Sequence, residues 1–315
     1  MEHDDTDTSV RRQQDFSCDG PIDVWAELDS GRLDVTLEEG QKGSDGTAAH
    51  GVTVRIHSAP ASQLACSGGI GGLLSWLGEQ AGTIHLGELA AEAVRRTVID
   101  LTGQRLTVRT PREYPLRTVP LIIQVNAPSG SSISARSGSA DVTVTGVAAS
   151  VDAATGSGQV QAQRCTGAAE VRTGSGDVRL GTVLGRLQVR TGSGQIDVTS
   201  IEGAQGSATV QAGSGDVRLG SVNLGAVKHE INARTGSGDL TVVDACAGGL
   251  ELTTGSGQLR VGIHPGVRAE LDVSSGSGHA RSDLPVSRAP AEGNVALRVR
   301  ARTGSGDALV TAAPS

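Results

Sequence analysis

The segment Val171–Arg179, VRTGSGDVR, contains the corner that decides the fold, because the chain repeats this corner along more than half of its length. Eight corners read Gly-Ser-Gly, and one more reads Gly138-Ser139-Ala140. The corners start at Gly138, Gly156, Gly174, Gly192, Gly213, Gly236, Gly255, Gly276 and Gly304. The spacing between them is 18 to 28 residues. An internal repeat of this length is typical of stacked proteins, in which each unit buries its apolar face only against its neighbours.

Apolar residues alternate with polar ones on both sides of each corner. The positions five and three residues before the first corner residue, and four and six after it, are apolar in 35 of 36 cases, and only Ser282 breaks the pattern. This alternation predicts a short strand before and after each corner. The fold class is therefore predicted to be all-β, a parallel β-solenoid of about nine two-strand rungs. Equivalent residues would stack about 4.8 Å apart, and we expect a right-handed coil.

The corner glycines are predicted to be structural, because glycine allows a positive φ or a close approach of two backbones. The Thr residues before most corners can stack as a hydroxyl ladder. The alternating Asp and Gln residues after the corners are interpreted as a second, solvated ladder, in which Gln reduces the repulsion between carboxylates. The glycines assigned to structural corners are Gly156, Gly158, Gly174, Gly176, Gly192, Gly194, Gly213, Gly215, Gly236, Gly238, Gly255 and Gly257.

The turn opposite the corners varies in length, whereas the corner does not. This turn is longer at residues 201–207 and 221–230, and it is longest at residues 283–296. Insertions in a repeat protein collect in loops on one face, which is often the binding face. We therefore expect any binding surface on the variable edge of the solenoid rather than at its corners.

The residues before the repeats predict a smaller part of the chain. We expect a disordered tail over residues 1–14, a β-rich cap module over 15–130 and the solenoid over 131–312. The turn Asp29–Gly31 lies between two strand-like segments and predicts a β-hairpin. The cap would cover the first rung, because an exposed terminal rung is an unpaired edge. A helical insert is expected within the cap at about residues 67–100.

The insert contains apolar residues at helical spacing, and these are the candidate partner-docking residues: Leu73, Leu74, Trp76 and Leu77. One hypothesis is a short helix that packs on the cap. The other is a glycine-flanked amphipathic segment that docks onto a partner or a membrane. Contact with a membrane is expected only through residues 67–87, because no stretch of the chain approaches the length of an apolar membrane span.

Composition excludes several classes of partner. The net charge of −7 and the pI of about 5.5 argue against nucleic-acid binding, which uses a basic surface. All four aromatic residues precede the repeats, so the solenoid offers no ring on which a sugar or a base can stack. The N-terminus lacks the apolar segment of a secretory signal, and we therefore expect a cytoplasmic location.

The sequence predicts no catalytic, cofactor or metal site. The four cysteines are far apart and form no C-x-x-C motif, so they are interpreted as free thiols. His229, His264 and His279 lie on different predicted rungs and are interpreted as lone exposed side chains. Calcium needs six or more oxygen ligands, whereas each corner supplies at most one Asp. We therefore expect a protein that is not an enzyme.

The TGSGDV-type corners resemble those of DUF4097, an adhesin-like family of β-strand repeats. The segment FSCDGPIDVWAELDSGRLDVTLEEG, residues 16–40, is similar to the N-terminal hairpin of actinobacterial members. The segment VGIHPGVRAELDVSSGSGHARSDLPV, residues 261–286, is similar to their C-terminal rungs. The resemblance covers most of residues 16–312, and Ser67–Gly82 is its least typical part. It implies a β-solenoid without known catalytic residues, and it suggests a cell-envelope or stress response as the setting.

Three functional hypotheses follow, in order of preference. The first is a non-catalytic interaction scaffold that binds a protein partner. The second is a self-assembling structural protein, in which an open C-terminal rung after Val310 pairs with a second copy. The third is a calcium-binding repeat or an enzyme of unrecognised type.

Overall fold

The computed structural model describes residues 11–39, 50–58, 82–203, 207–225, 229–285 and 295–314. The chain forms two compact units, Met1–Gly146 and Val147–Ser315. Among the described residues, the regular elements are nearly all β-strands, with one α-helix, and most strands pair in parallel. The predicted fold class, an all-β parallel solenoid, is confirmed. The sequence analysis placed the domain border after residue 130, whereas the compact units divide after Gly146.

The described residues of the first unit form nine strands, one helix and a short 3-10 turn at Leu116–Thr118. Its elements are β1 (Arg11–Cys18), β2 (Asp23–Leu28), β3 (Gly31–Glu38), β4 (His50–Ser58), α1 (Gly82–Arg96), β5 (Val98–Thr102), β6 (Arg105–Arg109), β7 (Leu121–Pro128), β8 (Ser132–Ser137) and β9 (Asp141–Ala148).

The predicted hairpin at Asp29–Gly31 is wrong, because β2 and β3 belong to different sheets and form a rung. β2 runs parallel between β6 and β8, and β3 runs parallel between β7 and β9. The residues between them form a corner that stacks on the next one, and the Ser139 amide donates to the Asp29 carbonyl at 2.7 Å. Because this corner stacks on the next one, β2 and β3 each have a parallel partner on both sides. The two strands of an isolated hairpin pair only with each other.

Antiparallel strands border the parallel rungs of this unit. β4 pairs with β7, β1 pairs with β4, and β5 pairs with β6, all antiparallel. Helix α1 buries Ala90, Ala93 and Val94, and the Arg12 guanidinium donates to the Thr97 carbonyl at 2.7 Å. The predicted helical insert extends too far, because β5 begins at Val98 and its backbone pairs with β6. The candidate docking residues Leu73, Leu74, Trp76 and Leu77 lie outside the described residues.

The second unit consists of paired strands on either side of each corner. Its strands are β10 (Ser150–Thr155), β11 (Val160–Cys165), β12 (Ala169–Thr173), β13 (Val178–Val183), β14 (Leu187–Thr191), β15 (Ile196–Glu202), β16 (Ala208–Ala212), β17 (Val217–Asn223), β18 (Glu230–Thr235), β19 (Leu240–Thr254), β20 (Leu259–Ile263), β21 (Ala269–Ser275), β22 (Ala280–Ser282), β23 (Leu297–Thr303) and β24 (Ala308–Ala312).

Equivalent strands of successive rungs pair in parallel and in register. Val171 pairs with Val189, and Val189 pairs with Val210 on the next rung. The strands after the corner do the same, since Val178 pairs with Ile196. All five side chains are at most 1% exposed, so the predicted apolar columns form the core of the stack.

A fifth inward column lies in the turn opposite the corners, and the sequence analysis missed it. Its members are register partners of one another and are buried: Cys165, Val183, Ile201, Val222, Ala245 and Ile263. In most rungs this column lies three residues after the preceding buried position, as in Leu180 and Val183. A search for period-two alternation therefore passes over it.

The order of the last rungs differs from their order in the sequence. β23 pairs with β19 on one side and with β21 on the other, and β24 pairs with both β20 and β22. The predicted open C-terminal rung is therefore wrong, because the strand that contains Val310 has a neighbour on each side. In the stack, the β23–β24 rung therefore lies between the β19–β20 rung and the β21–β22 rung. Within the described part of this unit, β21 and β22 each have one paired side.

The Thr residues before the corners form the predicted hydroxyl ladder. The Thr235 hydroxyl accepts a hydrogen bond from the Gly238 amide at 3.2 Å and donates to the Gly215 carbonyl of the preceding rung at 2.9 Å. Thr254 and Thr303 are buried and make the same pair of bonds. Each hydroxyl therefore closes its own corner and ties it to the neighbouring one.

The Asp residues after the corners also form hydrogen bonds between rungs. The Asp177 carboxylate accepts the Gln195 amide of the next rung at 3.0 Å, and the Asp216 carboxylate accepts the Asp239 amide at 2.8 Å. The backbone amide of His279 donates to Asp307, and this bond is the main reason that the pKa of Asp307 is lowered. These carboxylates are hydrogen-bond acceptors between rungs rather than ligands of a bound ion.

The corner glycines are required by close stacking and not by a positive φ. A Cβ on Gly174 would lie 2.5 Å from the Gly156 carbonyl oxygen, and a Cβ on Gly176 would lie closer still to the Gly158 oxygen. None of the corner glycines in the Gly-Ser-Gly repeats has a positive φ. The backbone of each rung therefore fills the space that a side chain on the next rung would need.

We predict that Gly176→Ala destabilises the protein by at least about 2 kcal/mol, because the new methyl group must displace a stacked carbonyl. Gly176→Val should have a larger effect. Gly51→Ala is the matched control, since a Cβ at exposed Gly51 has no atom within 4 Å. Urea unfolding followed by circular dichroism measures the difference. Equal stability of Gly176→Ala and Gly51→Ala would contradict the stacking explanation.

We predict that Ala212→Thr stabilises the second unit by about 1 kcal/mol, because Ala212 occupies the ladder position between Thr191 and Thr235. The new hydroxyl can accept the Gly215 amide and donate to the rung before. Thr235→Val should instead cost about 1–3 kcal/mol, since it leaves buried partners of the hydroxyl unsatisfied. Denaturant midpoints of the two variants test the ladder, and a shift of the same sign in both would contradict it.

Candidate functional site

The candidate site lies in the second unit, in the turn opposite the corners. Strand β19 passes through this turn without interruption and brings Asp244 and Cys246 to it. His264 follows the end of β20, which is the paired neighbour of β19. The His264 amide donates to the Ala245 carbonyl at 3.0 Å, and this bond holds the histidine beside the turn of β19.

Two β-bulges in β19 determine the positions of the Asp244 and Cys246 side chains. Towards β17, Val222 pairs with Ala245 and Asn223 pairs with Ala247, so Cys246 is an extra residue. Towards β20, the register shifts again between Val242 and Ala245, so that two residues of β19 lie opposite one of β20. A β-bulge bends a strand and redirects a side chain. The two bulges lie on opposite sides of β19, next to Asp244 and Cys246.

The polar atoms of the three side chains lie close together. His264 Nδ1 is 3.1 Å from each carboxylate oxygen of Asp244, and Cys246 Sγ is 3.7 Å from Asp244 Oδ2. One atom from each residue can be chosen so that all three lie within 4.8 Å of one another. The His264 side chain is 51% exposed and that of Asp244 is 26% exposed, so the cluster is open to solvent.

The cluster favours the neutral form of Cys246. Burial raises the pKa of the Cys246 thiol, and the negative charge of Asp244 and a hydrogen bond to Asp244 raise it further. A hydrogen bond with Ser221 acts in the opposite direction. Without a metal ion, the thiol therefore stays protonated and donates to the carboxylate.

Cys165 differs from Cys246, although both lie in the variable turn. The Cys165 side chain is 2% exposed and belongs to the fifth apolar column. Its thiol donates to the Ala168 carbonyl at 3.4 Å, and burial raises its pKa. We conclude that Cys165 is a core residue that behaves as a small apolar side chain.

Two other clefts have charged linings. A cleft of about 390 Å³ in the second unit is lined by His279, Arg281 and Asp307, and the His279 ring lies 3.5 Å from the Asp307 carboxylate. A cleft of about 420 Å³ in the first unit contains Arg112 and Arg117. These arginines pair with Glu27 and Asp29, so the charge of this cleft is largely neutralised within the protein.

The sequence predicts a lone exposed His264, because the three histidines lie on different rungs. The predicted ladders of Thr, Asp and Gln concern the corner edge and do not include the polar residues of the variable turn. His264 follows Asp244 by 20 residues, which is close to the length of one rung. Stacking of successive rungs therefore makes the two residues neighbours. Alignment of polar positions at the repeat spacing could have found the pair.

The described residues contain no helix that is both long and apolar enough to cross a lipid bilayer. The in-register strands, the inward apolar columns and the hydrogen-bonded corners define a parallel β-solenoid. The model of one family, Toastrack DUF4097, matches residues 122–313, and the chain belongs to this family.

Two solved structures are similar to this chain at low sequence identity. A "putative adhesin" from Bacteroides fragilis is 11% identical, with a TM-score of 0.44 and coverage of 96% of this chain and 97% of that one. A "putative lipid binding protein" from Parabacteroides distasonis is 11% identical, with a TM-score of 0.41 and coverage of 95% and 96%. A search of the curated proteins finds no match.

We predict that Asp244→Asn increases the rate of Cys246 alkylation by iodoacetamide by at least about twofold near pH 8. The substitution removes a negative charge that raises the thiol pKa, so a larger fraction of Cys246 is thiolate. A chelator keeps metal ions away from the cluster. Mass spectrometry measures the rate for each thiol, and Cys165 is the internal control. An unchanged or slower rate at Cys246 would contradict the assigned role of Asp244.

Proposed function

We propose that the protein is a non-catalytic scaffold that binds a partner protein through the variable edge of its second unit. The variable edge is the set of turns opposite the corners, and its described part includes Glu202, Asn223, Asp244, Cys246 and His264. The observation that carries this proposal is a difference in what the side chains of the two edges contact. Corner residues are committed to bonds between rungs, whereas these five side chains lie outside the apolar core.

The corner edge is unsuited to evolve a binding surface. Its glycines cannot accept a side chain because a carbonyl oxygen occupies the space, and its Thr and Asp residues hold neighbouring rungs together. A substitution of one of these Gly, Thr or Asp residues that created a contact with a ligand would weaken the stack. Gly167, Gly185 and Gly203 stack as closely on carbonyl oxygens in the variable turns, but these turns differ in length between rungs of the same register and so accept more change than the corners do.

The flat faces of the stack are covered mainly by exposed ion pairs. Arg298 lies 3.0 Å from Glu270, and Arg300 lies 3.3 Å from Asp272 on the adjacent strand. These side chains are between 52% and 59% exposed. Exposed pairs of this kind are screened by water and salt and contribute little to affinity or stability. The faces therefore support the solubility of the scaffold more than they support recognition.

Self-assembly through the C-terminal rung is not proposed, because β23 and β24 are paired on both sides. Docking through Leu73, Leu74, Trp76 and Leu77, membrane contact through residues 67–87, and the cytoplasmic location remain predictions. The family gives no catalytic role, and a scaffold agrees with this. A partner that binds the variable edge would contact several rungs at once, which matches the extended surfaces that repeat proteins use.

We predict that a photo-crosslinking amino acid placed at Glu202 or Asn223, in cells that contain the protein naturally, captures the same partner protein. The same amino acid at the corner residues Ser175 and Ser214, or at Arg190 on a flat face, should capture much less. All five positions are exposed, so accessibility does not distinguish them. Mass spectrometry identifies the captured protein.

Purification of that partner allows a direct test. Glu202→Lys should weaken binding by at least about tenfold if Glu202 is near the centre of the interface. Arg190→Glu is the charge-reversal control and should leave the affinity unchanged. Equal capture from corner, face and edge positions would contradict the proposal. Capture only from the corner would move the interface to the other edge.

A further inference from the structure

We propose that Asp244, Cys246 and His264 form a binding site for a divalent transition metal of the zinc class. The three residues offer one oxygen, one sulfur and one nitrogen ligand, which are the donor atoms that zinc prefers. This set differs from the all-oxygen sites that calcium and magnesium require. The site lies on the variable edge, but the inference rests on its donor atoms and not on the proposed partner.

The distances between the donor atoms fit a tetrahedral ion. Bond lengths of about 2.0–2.3 Å in a tetrahedron separate neighbouring donor atoms by roughly 3.3–3.8 Å. The distance from His264 Nδ1 to Asp244 Oδ1 is 3.1 Å, and that from Cys246 Sγ to Asp244 Oδ2 is 3.7 Å. All three donors lie within 4.8 Å of one another, so small rotations of partly exposed side chains bring them to an ion. Water can occupy the fourth position.

The position of the site in the stack supports the inference. The described strand pairs of the second unit are in register except at the two bulges, and these bulges flank the candidate ligands. Asp244 is the register partner of Ser221, as in a regular rung, and the bulge then adds Cys246 as an extra residue two positions further on. The irregularity therefore creates a local arrangement of side chains that the rest of the repeat does not contain.

The pair His279 and Asp307 is a useful comparison. His279 Nδ1 lies 3.5 Å from Asp307 Oδ1, and the His279 side chain is 94% exposed. The Asp307 carboxylate already accepts the His279 amide as part of the corner ladder. A histidine beside an aspartate can thus arise from the stack alone. The cluster at Asp244 differs by its cysteine and by the bulges that expose it.

Metal binding would link two rungs. Asp244 and Cys246 belong to β19, whereas His264 follows β20, so an ion held by all three joins the variable turns of neighbouring rungs. Coordination by Cys246 forms a metal–sulfur bond, and the thiol proton passes to the solvent. Because the ion binds the folded stack and not the unfolded chain, it should stabilise the second unit by an amount that rises with the logarithm of the free ion concentration above its Kd.

The test uses the full chain, freed of metal with a chelator, and Co²⁺ as a spectroscopic probe for zinc. We expect a thiolate-to-cobalt charge-transfer band and the visible bands of tetrahedral Co²⁺, and both should disappear when Zn²⁺ is added. Cys246→Ser and His264→Ala should each weaken Zn²⁺ binding by at least about tenfold. Loss of a residue that only hydrogen-bonds to a metal ligand already weakens metal binding by about this factor, so loss of a ligand should have at least the same effect. Isothermal titration calorimetry measures this loss.

Two controls separate this site from incidental binding. His279→Ala removes the comparison histidine, and Cys18→Ser removes another partly exposed thiol. Neither variant should change the cobalt spectrum or the zinc affinity. Circular dichroism establishes that every variant is folded. The proposal is overturned if Co²⁺ gives no charge-transfer band, or if the band survives in Cys246→Ser or His264→Ala. It is also overturned if His279→Ala or Cys18→Ser abolishes the band.

Discussion

The close contact between the corners of successive rungs is the constraint on which the second unit depends. The backbone carbonyl of one corner lies where a side chain of the next corner would be, so glycine is required at both ends of Gly-Ser-Gly. Thr hydroxyls and Asp carboxylates then bond across the same gap. Because the corner fixes the rise from one rung to the next, it keeps the apolar columns in register and lets side chains such as Val189 pack on identical neighbours.

The same constraint determines where chemistry can occur. A side chain at the corner is committed to the stack, and a side chain on a flat face meets the charges of adjacent strands. Only the turns opposite the corners can change in length or slip in register without disturbing the columns. The one described cluster with three metal-ligating residue types, Asp244, Cys246 and His264, lies at such a slip. Function in this fold is therefore expected where the repeat is least regular.

In each unit, a rung is inserted between two others that follow one another in the sequence. β2 and β3 lie between the β6–β7 rung and the β8–β9 rung, and β23 and β24 lie between the β19–β20 rung and the β21–β22 rung. Each strand of an inserted rung is hydrogen-bonded to a parallel strand on both sides. Strands β2, β3, β23 and β24 therefore have paired neighbours on both sides and are not unpaired edges.

The sequence by itself determined the solenoid, the apolar columns beside the corners and the structural role of glycine, because these features follow from local periodicity that repeats in register. It also indicated the family, through corners such as that at Gly174. Only the tertiary structure decided the rest. The fifth column at Cys165, the rung at Asp29–Gly31 and the enclosed position of β24 depend on which strands pair, and pairing between distant segments leaves no local pattern. The cluster at His264 depends on two bulges, which change the register by single residues and so become visible only when the rungs are stacked.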